Sequence, residues 1–96
     1  MLETQLVPKF SLGTVSITEN ARAALAHAEA DVRLALRRHA SGDWGENRPK
    51  GVEENDAALR SGERVISIYR TRDNICFWIL TSGDRSVTRI SLPGHR

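Results

Sequence analysis

Residues 64–92 read "RVISIYRTRDNICFWILTSGDRSVTRISL". Three runs rich in β-branched and aromatic residues are separated by two short polar segments, "TRDN" and "TSGDR", whose Asp, Asn, Gly and Ser supply turn chemistry. Connections this short join antiparallel neighbours, because parallel strands need a crossover of a dozen residues or more. The stretch therefore predicts a three-stranded antiparallel meander. In "RVISIYR", Ile66 and Ile68 share one parity and Val65 and Tyr69 the other. "ICFWIL", Ile75 to Leu80, is apolar at every position, which fits a middle strand covered on both faces. "SVTRISL" places Ile90 and Leu92 on one face and Val87, Arg89 and Ser91 on the other, and Pro93–Gly94 ends it.

Working back from the meander, "VEENDAALRSG" reads as a short helix closing at Gly62. "SGDWGENRPKG" interrupts the chain with Gly42, Gly45 and Pro49. From Ala21 to Ala40 the apolar residues Ala21, Ala24, Leu25, Ala28, Val32, Ala35 and Leu36 recur at helical spacing, and His39 continues their stripe. Thr18 suits the N-cap, with Glu19 in the first turn. Asp31 offers a second cap, so this run is one helix or two with a break near Ala30. In "KFSLGTVSI", Phe10 and Leu12 hold one parity, Val15 and Ile17 the other, and the switch at Gly13 reads as a strand with a bulge or kink. The fold class is α+β: an N-terminal strand, one or two helices, a short helix, then the meander packed against the helices. The expected organisation is a flexible end at 1–9, one domain at 10–93 and a tail at 94–96, with the first strand at one edge of the sheet.

Ninety-six residues make one domain, and 40% hydrophobic content argues against disorder. A net charge of +2 is too balanced to demand a nucleic-acid partner. The charges are nonetheless segregated. Arg64 to Arg96 holds six arginines against Asp73 and Asp84, while Asp43 to Glu63 is acidic. Only Lys9 and Lys50 are lysines, and arginine favours planar contacts to carboxylate or phosphate. Cys76 is the one cysteine, so no disulfide closes within the chain. The sequence implies a reducing cytoplasm, no metal site, no cofactor and no membrane span, and the N-terminus lacks the pattern of a signal peptide.

The whole pattern resembles a group of short bacterial proteins found on plasmids, integrative elements and prophages. The resemblance is carried by "FSLG", "HASGDWG", Asn55, "GERVISIYR" and "WILTSGDRSVTRISLP", and runs from about Phe10 to Pro93. It implies a mobile-element setting and favours two helices over one. The sequence departs from the pattern in "TSGDR", where an acidic residue is usual, and in its "LPGHR" ending, where an acidic-aromatic tail is usual.

Two function classes follow. The first is an accessory protein, in an anti-defence or regulatory role, that binds a protein or a nucleic-acid backbone through Arg70, Arg72, Arg85, Arg89 and Ser86. The second is a ribonuclease toxin. The element order resembles, at fold level, RelE-like toxins and barnase-type nucleases. His39 would then act as acid or base, Arg70, Arg85 and Arg89 would meet phosphorane charge, and Thr88, Ser86 or Tyr69 would place the phosphate. Binding ranks first, because a histidine on an apolar stripe is more often a packed one. Asp43, Trp44 and Gly45 read as a structural corner, with Asp43 accepting backbone N–H groups and Trp44 anchoring the loop. Cys76 reads as a small core residue, and His27 and His95 as solvated ones.

Overall fold

The computed structural model describes residues 7–94. The expected tail at 94–96, with His95, falls almost wholly outside the described residues, as does most of the end at 1–9. Seven elements follow in order: β1 (Thr14–Ile17), α1 (Glu19–Ala24), α2 (Glu29–Ala40), α3 (Pro49–Ser61), β2 (Val65–Arg70), β3 (Cys76–Thr81) and β4 (Val87–Ser91). The sheet order is β1-β4-β3-β2. The meander is antiparallel throughout, and β1 joins its β4 edge in parallel. The fold is α+β with a mixed sheet.

Register assigns the two faces. Val65, Ser67 and Tyr69 stand opposite Thr81, Ile79 and Phe77, and all are buried. Thr88 and Ile90 continue this face onto β4. The core forms here, where Ala21, Leu25, Ala28 and Ala35 of the helical layer meet Tyr69, Phe77, Ile79 and Ile90. A second cluster of Trp44, Ala58 and Val65, with Phe10, Val52 and Leu59 against it, closes the end of the sheet beside α3.

β3 alternates between buried and half-buried positions. The unbroken apolar run is therefore not covered on both faces: the helical layer packs one face, and Cys76, Trp78 and Leu80 stand on the other. The run looks doubly buried because its outward residues are as apolar as its inward ones. Cys76 lies outside both core clusters.

Two helices replace the single stripe. The break spans 25–28 and contains neither Gly nor Pro. Leu25 and Ala28 are both buried in the core, and the break runs against the strong helix propensity of Ala and Leu. Ala28, not Asp31, precedes α2, and it makes no side-chain cap. Asp31 lies inside the first turn of α2, accepts the Arg72 backbone N–H at 3.1 Å and pairs with its guanidinium at 3.3 Å. Thr18 does cap α1, accepting from the Ala21 N–H at 3.4 Å. Helix α3 starts earlier than its acidic run, because Pro49 occupies the first turn, where its missing N–H costs nothing. It ends at Gly62 in the left-handed region.

No strand covers Phe10 to Leu12. The chain crosses the end of the sheet as a strap and becomes a strand only at Thr14. Gly13, at φ +63°, makes the turn, and a Cβ there would collide with the Ser86 and Arg85 carbonyls of the β3–β4 hairpin. Among the described residues no helix is long and apolar enough to cross a membrane.

The strap gives a graded test. Gly62→Ala adds a methyl in open space at a similar φ, so it carries only the left-handed penalty of about 1–2 kcal/mol. Gly13→Ala carries that penalty plus the collision. Urea unfolding should therefore rank Gly13→Ala as the more destabilised variant, and equal losses would show that the strap does not lie tightly on the hairpin.

Candidate functional site

The segment "HASGDWGEN" folds into a corner that extends the sheet at the β2 edge. Ile68 donates its N–H to the Trp44 carbonyl at 3.3 Å and accepts from the Glu46 N–H at 2.7 Å. Gly45 sits between these bonds, too close to the Ile68 carbonyl for any side chain. Trp44 is buried and donates its indole N–H to Asp56 at 2.9 Å. Asp43 accepts from Arg38 Nε at 2.8 Å, Arg38 Nη2 at 3.2 Å and the Gly45 N–H at 3.2 Å. The Arg38 bond, more than the Gly45 one, holds the Asp43 carboxyl below its usual range. The Tyr69 hydroxyl donates to the Asp43 carbonyl. Burial, above all, raises that phenol's pKa. The polar side chains of the corner thus have intramolecular uses.

His39 has 0% of its surface exposed. Its ring lies edge-on to Phe10 and Trp44, with centroids at 5.4 and 5.7 Å. Its nitrogens meet hydroxyls: Nδ1 is 2.5 Å from Ser67 Oγ and Nε2 is 2.8 Å from Thr81 Oγ1. Thr81 Oγ1 lies 2.7 Å from Thr88 Oγ1, which donates to the Leu12 carbonyl at 2.7 Å.

Counting protons fixes the direction of this chain. A hydroxyl has one hydrogen. Thr88 spends its hydrogen on Leu12, so Thr81 must donate to Thr88. Thr81 then has only lone pairs for His39, so Nε2 carries the ring proton. In the neutral ring Nδ1 accepts, and Ser67 donates to it. The relay runs Ser67 O–H to His39, His39 Nε2–H to Thr81, Thr81 O–H to Thr88, and Thr88 O–H to Leu12. A second ring proton would have to point at the Ser67 oxygen and displace its hydrogen. Burial, reinforced by the positive charge of Arg85, lowers the pKa to about 3.

The arginines of the meander are dispersed. The Arg85 guanidinium donates to the carbonyls of Ala58 at 3.1 Å, Glu63 at 2.8 Å and Ser82 at 3.2 Å, and lies 5.2 Å from the Phe10 ring centre. It closes the end of α3. Ser86 donates its hydroxyl to Asp84 at 2.7 Å inside the hairpin turn. Hydrogen bonds from Ser86 and then Ser82 hold the Asp84 carboxyl near 2. Arg70 pairs with Glu46 at 3.2 Å. Arg70 and Arg72 lie at the end of β2 away from the β3–β4 hairpin, about 17 Å along the strand. Thr88 is buried and already donating. The structure does not gather His39, Arg70 and Arg85 around an open cleft. An imidazole that is neutral, sealed and bonded at both nitrogens has no route to a substrate proton.

What the structure leaves available is the sheet face opposite the helical layer. Ile66 and Ile68 pair with Leu80 and Trp78 on this face, and Arg89 and Ser16 stand beside Leu80. Ile66, Ile68 and Leu80 are half-buried and belong to neither core cluster. At the β2 flank, Asn47, Gly51, Glu54 and Asn55 join Ile66, Ile68 and Trp78 around a shallow cavity of about 230 Å³. In β2 the small Ser67 takes the core parity and two isoleucines take the other. Apolarity alone points the wrong way there. Among the described residues, no group of three or more His, Cys, Asp or Glu side chains is placed to hold a metal ion. No protein-family model, curated protein or solved structure matches the chain.

The relay makes two predictions. Thr81→Val keeps the shape but strands the Nε2–H and the Thr88 lone pair, and it should cost about 1–3 kcal/mol in urea unfolding; an unchanged midpoint would contradict the relay. The second concerns pH. The unfolded histidine titrates near 6.5 and the folded one near 3, so between these values the unfolded state binds the extra proton. Stability should drop as pH is lowered through that window, the slope approaching about 1.4 kcal/mol per unit below pH 6. His39→Gln should flatten the slope between pH 7 and 5.5, and a wild type already flat there would mean that the ring is not buried neutral.

Proposed function

We propose that this chain is a binding protein rather than an enzyme, an accessory factor of a mobile genetic element that acts by contacting a protein. The observation that carries the reading is the uncovered sheet face: Ile66, Ile68 and Leu80 form an apolar centre with Arg89 beside it. These side chains are half-buried and contiguous, and a contiguous apolar patch left partly open on a small domain favours a protein partner. The mobile-element setting, with its anti-defence or regulatory role, rests on the motif resemblance in "HASGDWG", "GERVISIYR" and "WILTSGDRSVTRISLP". A cytoplasmic setting accords with the free Cys76.

A nucleic-acid backbone is the less favoured partner. Gripping phosphates calls for several unpaired cations in one stripe. Of the meander arginines first considered for that role, Arg70 and Arg72 are paired to Glu46 and Asp31 and Arg85 is bound to carbonyls, which leaves Arg89.

Two assays test the reading. Purified protein incubated with total RNA should leave it intact, and induction in bacteria should not arrest growth through RNA cleavage. RNA cleavage abolished by His39→Ala would replace the binding reading with the ribonuclease one. Duplex DNA or RNA should bind only weakly at physiological salt. Tight binding whose logarithm falls several-fold against log salt would mark a phosphate-contacting protein instead.

A further inference from the structure

The open face is complementary to itself. The row across the sheet at the level of Leu80 runs Ser16, Arg89, Leu80, Ile66. Beyond Ile66 it reaches Glu54 of α3, which lines the same flanking cavities as Ile66, one of them shared with Arg64 and Glu63 just before β2, one residue pair further along the strand. The row therefore has a cation on one side, two aliphatic side chains in the middle and an anion on the other side. Arg89 and Glu54 are both exposed, and among the described residues neither side chain has an ion pair or hydrogen bond.

A two-fold axis lying in the plane of the face, parallel to the strands and running between β3 and β2, reverses this row onto itself. It sets Arg89 of one copy over Glu54 of the other, twice by symmetry, and Leu80 over Ile66. The next row follows the same rule, with Ile68 over Trp78. A two-fold interface requires that residue i meet j while j meets i, and this row meets the requirement in charge and in apolar order. Packed sheets of this kind lie within about 30° of parallel, with their inner side chains interdigitating.

We infer that the occupant of the open face is a second copy of this chain, docked sheet to sheet about a two-fold axis with reciprocal Arg89–Glu54 pairs. The inference rests on the open-face binding reading and names its partner. Four strands at about 4.8 Å spacing give a face roughly 19 Å wide and about 17 Å long, extended by the α3 flank. That footprint is small for a specific interface, so the dimer is a weak one that forms only at high concentration.

Sedimentation equilibrium of the full chain from about 1 µM to 1 mM tests this. The wild type should pass from monomer to dimer. Arg89→Glu should raise the dissociation constant at least tenfold, and Arg89→Glu combined with Glu54→Arg should return it to within a few-fold of wild type. Both positions are exposed, so the fold survives these changes and circular dichroism should be unchanged. Leu80→Glu should give a monomer, whereas Leu34→Glu on the exposed side of α2 should dimerise as wild type. A wild type that stays monomeric to 1 mM overturns the inference, and the binding reading then stands or falls by the RNA and salt assays. A dimer indifferent to Arg89→Glu and Leu80→Glu, or broken by Leu34→Glu, also overturns it by placing the contact elsewhere.

Discussion

The hydrogen bonds of one imidazole organise this fold. His39 comes from α2, Ser67 from β2, Thr81 from β3 and Thr88 from β4, and the last bond ends on Leu12 in the strap. Every one of these hydroxyls is buried and no described buried side-chain polar atom is left without a partner. Such a chain is stable only when complete, because each link's donor needs the next link's lone pair and an orphaned group costs far more in an apolar interior than in water. A slip of one residue in any strand would turn its hydroxyl to the opposite face and leave the ring unsatisfied. The relay therefore discriminates against wrong registers in a meander whose apolar pattern does so poorly.

The strap depends on the same centre. Phe10 covers the imidazole edge-on and stacks 6.1 Å from Trp44, and Arg85 lies over its other side. Lys9 donates its backbone N–H to the Ala40 carbonyl at 2.7 Å, beside the end of α2. Chain ends and connections thus contribute to burial that a core of this size cannot obtain from helices and strands alone. Among the described residues, the helical layer lies on one face of the sheet and no helix lies on the other.

Much of the fold was legible because local chemistry agreed with tertiary need. The meander followed from turn residues and short spacing, the Thr18 cap from its hydroxyl, the α3 terminus from Gly62. Features set by long-range contacts were not legible. The break at 25–28 has no local breaker, neither Gly nor Pro, so no residue type marks it. His39 finds its partners 28 and 42 positions away. No window of sequence shows that a serine and a threonine will meet it, so the residue reads equally as base or as packed ring. The outward face stayed hidden for another reason: in "RVISIYR" and "ICFWIL" both parities are apolar, and periodicity cannot assign a side when both sides look the same.

The charges show how far composition and position diverge. Counted along the chain, Arg64 to Arg96 is a basic block and Asp43 to Glu63 an acidic one. Folding mixes them. Glu46 comes from the acidic block and Asp31 from the helix to meet Arg70 and Arg72, while Arg38 takes Asp43. The planar guanidinium suits these two-point and multi-carbonyl contacts, which accounts for the preference for arginine over lysine without any polyanion. Individually such exposed pairs add little stability. Their effect is on what remains: once they form, the charges left beside the apolar centre are Arg89 on one flank and Glu54, Glu63 and Arg64 on the other. A surface with both signs of charge around an apolar centre repels neither itself nor an equally balanced partner, and its selectivity must come from geometry rather than from net charge.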